Sequence, residues 1–249
     1  MTKAGLLQIE GAGKTYRGGT QALSGIDLEI GRGEFVSLVG PSGCGKSTLL
    51  RLMAGLLSPS AGTLSWAGGA RPEAGFVFQD ATLMPWADVF SNVHLPLKLK
   101  GISAEDARAR IMAALSRVGL GQAAHAMPRA LSGGMRMRVS IARALVMEPT
   151  VLFMDEPFAA LDELTREKLD DDLLTLWNEQ GWTVIFVTHS VYEAVYLSER
   201  VLIMNETGRL EADMPIEGGF PRGQAFRDSQ LFFEQVKKVS AALRGRSAP

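Results

Sequence analysis

Nine residues, Gly40-Pro41-Ser42-Gly43-Cys44-Gly45-Lys46-Ser47-Thr48, have the types and spacing to hold a phosphate chain. They fit G-x-x-x-x-G-K-[ST], in which glycines let successive backbone N–H groups turn inward on an anion. The start of the following helix adds positive potential. Lys46 would reach the β- and γ-phosphates, and the Ser47 hydroxyl would ligate Mg²⁺. The flanks supply the context this pattern needs: residues 34–39 read as a short buried strand, and 49–55 as a helix closed by glycine. The spacing therefore predicts a bound nucleoside triphosphate. Cys44, the single cysteine, lies inside the loop as a small filler. With no second cysteine to pair with, it suits a reducing compartment.

Other candidate groups stand at the ends of apolar runs. Val151-Leu152-Phe153-Met154 reads as a buried strand with Asp155 and Glu156 at its tip, where ligands bind in α/β sheets. Asp155 is placed to hold Mg²⁺ through water, which that ion sheds reluctantly. Glu156 is placed to polarise an attacking water. A capping role before Pro157 is the weaker reading, because two acids beside a phosphate loop repel unless a cation is present. A second buried run, 184–188, ends at His189. That makes His189 a candidate γ-phosphate contact, although a lone histidine is more often structural. Gln79 ends a strand at 75–79; it is either solvated or a sensor of the γ-phosphate, Mg²⁺ or attacking water. Tyr16 is either a half-buried strand aromatic or a ring that stacks on adenine. Ser132-Gly133-Gly134, read alone, is a turn and helix cap before a basic helix at 136–145.

These groups need elements to carry them. Weak alternation across 6–33, with Leu7, Ile9, Ile26, Leu28 and Ile30 inward and a turn at Arg17-Gly18-Gly19, predicts an antiparallel sheet leading into the nucleotide core. Residues 60–66 and 75–79 read as two strands around a Gly-Gly turn. From 90 to 144 the texture is helical; 104–118 shows a stripe of Ile111, Leu115 and Val118, with Ser103 as cap and Gly119 as stop. A last helix is expected at 230–243, with Leu231, Phe232, Val236, Val239 and Leu243 on its apolar face, and 244–249 as a frayed end.

Composition bounds the rest. With 249 residues, 46% hydrophobic and 21% charged, the chain is large enough to bury one full core with room for a smaller lobe. A net charge of -1 gives no global basic field, so no nucleic-acid partner is expected. No apolar run approaches the ~20 residues of a membrane span, and no signal-peptide pattern opens the sequence. The expectation is a soluble chain that stays where it is made.

In this order, the residues resemble an ABC transporter ATP-binding subunit over nearly the whole chain. Tyr16 is similar to the A-loop aromatic, 40–48 to Walker A, Gln79 to the Q-loop glutamine, and Leu131-Ser132-Gly133-Gly134-Met135 to the signature. Residues 151–156 resemble Walker B with its catalytic glutamate, Ala160-Leu161-Asp162 the D-loop, and His189 the switch histidine. The resemblance implies an α/β fold: a P-loop NTPase (RecA-like) core with an N-terminal antiparallel β subdomain and a helical subdomain. It implies one cassette spanning 1–249, with 1–89 and 148–220 as nucleotide-binding core and β subdomain. Residues 90–147 would be the helical signature subdomain, and 221–249 a C-terminal helix and tail.

The resemblance also implies an ATPase with Glu156, His189, Gln79 and Lys46 as catalytic residues. Nucleotide contacts would come from Tyr16, Gly40, Pro41, Ser42, Gly43, Cys44, Gly45, Lys46, Ser47 and Thr48, with Mg²⁺ at Ser47, Gln79 and Asp155. In this family two cassettes face head to tail, so Ser132, Gly133 and Gly134 would contact the γ-phosphate of the partner's nucleotide; Asp162 is a further implied nucleotide-binding residue. Implied partners are a second ATP-binding subunit, most simply another copy, and membrane permease subunits. Through the permease follows a periplasmic or lipid-anchored binding protein, and the location is the cytoplasmic face of the inner membrane. Residues 78–86 (FQDATLMPW), Asn92-Val93 and 156–162 (EPFAALD) resemble the importer branch for nitrate, sulfonates and taurine. Trp86 is then expected near the groove that receives the permease. Met137 departs from the family pattern: a glutamine commonly stands there, and a thioether cannot replace its amide hydrogen bonds.

Two alternatives explain less. A soluble ABC ATPase of DNA repair or translation would favour two cassettes in one chain, or a long coiled-coil insertion between Gln79 and Ser132. A P-loop kinase accounts for 40–48 but leaves the signature and His189 unexplained.

Overall fold

A computed structural model describes residues 3–245. The chain opens with β1 (Gly5–Thr15), β2 (Gln21–Gly31), β3 (Phe35–Val39) and α1 (Lys46–Met53), then β4 (Ala61–Trp66) and β5 (Ala74–Val77). A helical stretch follows, with α2 (Val89–Leu99), α3 (Ala104–Arg117) and α4 (Gly133–Leu145). Next come β6 (Val151–Asp155), α5 (Glu163–Gln180), β7 (Thr183–Val187) and α6 (Val191–Leu197). The last elements are β8 (Arg200–Met204), β9 (Leu210–Pro215), α7 (Gln224–Arg227) and α8 (Gln230–Leu243).

Two sheets organise these elements. The smaller is antiparallel with order β2-β1-β4, as the alternation at 6–33 predicts. The larger has order β5-β6-β7-β3-β8-β9; its first five strands are parallel and β9 closes the edge antiparallel. Strands β3, β6 and β7 are buried along their whole length, so their side chains, alternating by the pleat, feed two cores. Val36, Leu38, Val151, Phe153, Ile185 and Val187 join α1 and the small sheet. Phe35, Val39, Leu152, Met154, Val184 and Phe186 join the helices on the opposite face. Continuous apolar runs without polar alternation are the sequence mark of this two-sided burial.

The helix after the phosphate loop starts earlier than the apolar pattern suggests. α1 begins at Lys46, so Lys46, Ser47 and Thr48 form its first turn. The strands read at 60–66 and 75–79 exist as β4 and β5, but β5 stops at Val77, so Gln79 lies two residues past the strand rather than ending it. The two do not form a hairpin, since β4 belongs to the small sheet and β5 to the large one. A Cβ on Gly75 would lie 3.0 Å from the Ala144 carbonyl, and Val77 is fully buried. Burial of this strand against β6 and the end of α4 outweighs local pairing across the Gly-Gly turn. α3 and α8 match expectation. Ser103 caps α3 through the Asp106 N–H, and Phe232, Val236 and Val239 of α8 are buried, with Leu231 and Leu243 half-buried. Of the expected frayed end, Arg244 and Gly245 are exposed and 246–249 lie outside the described residues.

Candidate functional site

Strand order assembles the site. β6, β7 and β3 are parallel neighbours, so three segments emerge side by side at one sheet edge: Asp155–Glu156 after β6, His189 after β7, and the 40–48 loop after β3. Gln79 lies on the far side of β6. Val77 is paired with Met154, so Gln79 leaves β5 level with Glu156 leaving β6. Its side chain is exposed.

The loop's glycines are demanded by contacts as well as by torsions. Gly45 has φ 102°, and a Cβ there would stand 2.4 Å from the Ala22 carbonyl oxygen; one on Gly40 would stand 2.6 Å from that of Met204. The loop is thus wedged against the small sheet and the end of β8. Lys46, only 5% exposed, lies across the loop and donates to the Gly40 and Pro41 carbonyls at 2.9 and 3.0 Å. Cys44 is buried beneath it, and burial raises its thiol pKa, which fits a filler rather than a nucleophile.

Ser47 Oγ donates to Asp155 Oδ1 at 2.7 Å, while Asp155 Oδ2 lies 3.5 Å from Arg51 of the same helix as Ser47. Among the described residues no group of three His, Cys, Asp or Glu side chains forms a self-sufficient metal cage. One hydroxyl and one carboxylate are instead the hard oxygen set that suits Mg²⁺ completed by water and phosphate. The donors fit that ion.

Glu156 occupies a left-handed conformation, φ 47°, held by its N–H donating to the Val187 carbonyl at 2.9 Å. For a side chain of this size that backbone costs on the order of 1–3 kcal/mol, and it turns the carboxylate toward β7. There Glu156 Oε2 lies 3.5 Å from His189 Nδ1, with His189 about half exposed. Tyr16, 39% exposed, sets its hydroxyl 3.1 Å from Thr48 Oγ1, so the ring stands beside the far end of the phosphate loop.

Ser132, Gly133 and Gly134 lie elsewhere. Ser132 caps α4 by accepting from the Met135 N–H, and Ser132 and Gly133 are exposed. Gly134 is buried; a Cβ there would meet Thr165 at 2.7 Å, so the start of α4 nests on the start of α5. Among the described residues no hydrogen bond joins these three to loop 40–48. Asp162 caps α5 through the Thr165 N–H at 3.0 Å, a bond that lowers its carboxyl pKa. Met137 is buried at 5% exposure in the helical core, which accounts for an apolar residue at that position.

The segment after Gln79 is braced from below. Asn92, fully buried, accepts from the Met84 N–H at 2.7 Å and donates to the Met84, Ala87 and Asp88 carbonyls. Arg143 of α4 donates to the Ala81 and Thr82 carbonyls. On this frame Trp86 stands out at 77% exposure.

Sequence reasoning misses a polar cluster behind His189. Arg166 and Asp170 of α5, Glu193 of α6 and Arg227 of α7 line a cavity of about 360 Å³ with Ser190, Tyr192 and Tyr196. Burial, reinforced by the Glu193 charge, pushes the Asp170 carboxyl up to about 8, and burial raises Glu193 as well. An acid at a helical position where an apolar residue would extend the stripe was the available signal, at Asp170.

Known proteins share this arrangement. The ABC transporter family profile matches residues 23–159. The chain is 44% identical to the taurine import ATP-binding protein TauB of Yersinia pestis bv. Antiqua, covering 80% of each. It is 48% identical to the aliphatic sulfonates import ATP-binding protein SsuB of Rhodopseudomonas palustris, covering 89% of this chain and 78% of the relative. Among solved structures, the dimeric structure of MJ0796, a bacterial ABC transporter cassette, is similar with a TM-score of 0.75 and 35% identity over 86% of this chain and 100% of that one.

Proposed function

Since the chain belongs to the ABC transporter family, we propose that it binds and hydrolyses ATP as the motor subunit of an importer for a small anion or precursor of the nitrate, sulfonate or taurine kind. The relatives named for taurine and aliphatic sulfonate import support that class of cargo. One observation carries the chemical reading: the Ser47–Asp155 hydrogen bond sits one residue from the Glu156–His189 contact. A phosphate cradle, an oxygen donor pair and a water-activating acid meet at one edge. The repair and kinase alternatives are not favoured, since neither accounts for similarity to import subunits over most of the chain.

In this reading the backbone N–H groups of 40–48 and the Lys46 ammonium bind the triphosphate, and the Tyr16 ring stacks on adenine. Ser47, Asp155 and Gln79 would hold Mg²⁺, which when bound offsets charge on the β- and γ-phosphate oxygens. Glu156 orients the attacking water and takes its proton; His189 donates to the γ-phosphate and keeps Glu156 in place. Ser132, Gly133 and Gly134 offer the N-terminus of α4 to the γ-phosphate held by a second cassette, with Asp162 alongside. The exposure of Ser132 and Gly133 and the dimeric relative support that assignment. Hydrolysis removes the bridge between cassettes and lets them separate, so nucleotide state sets the spacing of the pair.

Residues 90–147 form the lobe that carries the signature, and Trp86 at its base meets the permease. No described helix is long and apolar enough to cross a membrane, so transport requires membrane permease subunits. A periplasmic or lipid-anchored binding protein would deliver the cargo to them. ATP supply places the chain at the cytoplasmic face. The test is ATPase rate against protein concentration for wild type and Ser132→Arg. A rate per chain that rises with concentration, and vanishes in the variant with ATP binding intact, is expected. A concentration-independent rate that survives the substitution would refute the composite site.

A further inference from the structure

One buried link joins the segment expected to face the partner cassette to the backbone on both sides of His189. Arg166 follows the Asp162 cap within the first turn of α5. Its Nη2 donates to the Leu161 carbonyl at 2.8 Å, and its Nε lies 3.7 Å from Glu193 Oε1. Glu193 is 6% exposed. Its other oxygen, Oε2, accepts from Thr188 Oγ1, and that hydroxyl oxygen accepts in turn from the Ser190 N–H at 2.9 Å. Ser190 Oγ then accepts from the Glu193 N–H at 3.3 Å. The ring closes around His189, whose two chain neighbours are both tied to Glu193: Thr188 through the carboxylate and Ser190 through the backbone N–H.

A helix cap alone does not account for this. Ser190 and Glu193 have capping-box spacing, in which the glutamate reaches back to the cap residue's N–H. Here Thr188 takes that N–H, and Glu193 bonds to Thr188 instead. The remaining atoms are telling. Glu193 Oε1 and Arg166 Nε are both buried and both without a hydrogen-bond partner, and they face each other. Unmade bonds between buried groups are costly, and a shift of under ~1 Å would complete this one. Asp170 on α5 and Arg227 on α7 line the same cavity as the pair, and the charges of His189 and Glu156 act on Glu193.

We propose that Arg166 and Glu193 are positioning residues for ATP hydrolysis: they transmit the position of the 160–162 segment, through Thr188, to His189. Docking of the partner cassette on 160–162 pulls Arg166 onto Glu193, and the 188–190 backbone then holds the His189 imidazole against Glu156. The proposal rests on the reading of His189 as the γ-phosphate contact and of 160–162 as a partner-facing segment.

Steady-state ATPase kinetics of the full chain test it, with Glu193→Gln, Arg166→Gln, Thr188→Val, Thr188→Ser and His189→Ala measured beside wild type. Glu193→Gln, Arg166→Gln and Thr188→Val should each lower kcat tenfold or more with KM for ATP within twofold. Thr188→Ser, which keeps the hydroxyl, should restore most of it. The Arg166→Gln/Glu193→Gln double variant should be no slower than the slower single one, because both break one link. Should Glu193→Gln not fold, Thr188→Val, nearly isosteric with wild type, decides alone. Retention of kcat in these variants while His189→Ala loses it would overturn the link, as would losses that only track the folded fraction. Retention of kcat in His189→Ala would instead refute the reading of that histidine.

Discussion

Replacing Asp170 by asparagine should make the protein more stable, and more so as pH rises. Asp170 is 4% exposed, its Oδ1 has no hydrogen-bond partner, and its nearest cation, Arg227, stands 3.9 Å away. Burial first, then the charges of Glu193 and Asp171, hold the carboxyl protonated up to about 8, with Arg227 and Arg166 opposing incompletely. In the unfolded chain the same group ionises near pH ~3.9. Between these values the folded state keeps a proton that the unfolded state has released, so stability falls as pH rises through the window. The slope for one proton is about 1.36 kcal/mol per pH unit, which accumulates to on the order of 5 kcal/mol by pH 8. Asparagine has the same shape and no charge to desolvate, so it avoids this loss. Urea unfolding of nucleotide-free protein at pH 5.5, 6.5, 7.5 and 8.5, at fixed ionic strength, reads the difference directly. The gap should grow by about 1.36 kcal/mol per pH unit from pH 5.5 to 7.5 and level off above pH 8. A constant gap, or a wild type that gains on the variant with rising pH, would show that the two arginines hold Asp170 ionised.

Other perturbations bear on the remaining parts of the site. Glu156→Gln should still bind ATP while hydrolysing it at least a hundredfold more slowly, and should accumulate a dimer on gel filtration in Mg-ATP; a variant that stays monomeric would remove the head-to-tail arrangement or the role of Glu156. Trp86→Ala should leave basal ATPase within twofold, because the side chain is 77% exposed, while lowering permease-stimulated turnover in reconstituted vesicles; equal loss of both would assign Trp86 to folding. Asn92→Leu deprives four backbone contacts of their partner and should cost roughly 2–4 kcal/mol in urea unfolding, with loss of permease coupling ahead of basal activity. Met137→Gln would bury an amide at a 5% exposed position, so a stability loss of roughly 1–3 kcal/mol with unchanged KM for ATP is expected; a lower KM would mean that the side chain reaches a nucleotide after all.

The parts legible in the sequence are those where a local pattern is also the physical cause. Loop 40–48 could be read because its glycines are required by torsion and by contact, and because uninterrupted apolar runs signal strands buried on both faces. Asp155, Glu156 and His189 followed from their positions at the ends of such runs. Ser132-Gly133-Gly134 was different: a cap and two glycines serve any helix start, and only the family resemblance gave them a role. α5 escaped periodicity because Asp170, Asp171 and Asp172 interrupt its apolar stripe, and one of them is buried. β9 carries a strand signal, with Leu210, Ala212 and Met214 alternating with Glu211 and Asp213, but as an edge strand it buries that face only partly. The Gly-Gly turn between β4 and β5 marks a change of direction without naming the sheet that each strand joins.

The largest gap concerns residues that act through other residues. Arg166, Thr188 and Glu193 have no motif, since what relates them is the packing of α5 against α6 behind β7. That packing has a consequence for how hydrolysis can be made conditional. Residues 40–48, Asp155 and Glu156 lie at the ends of the sheet strands β3 and β6. His189 is held by a short turn between β7 and α6, and its hold runs through Glu193 and Arg166 to a segment on the surface. Under the proposed link, a cassette can bind ATP at its strand ends and still await the partner to seat His189. On that proposal, the division between strand-end groups and a tethered histidine corresponds to the division between binding nucleotide and committing it to hydrolysis.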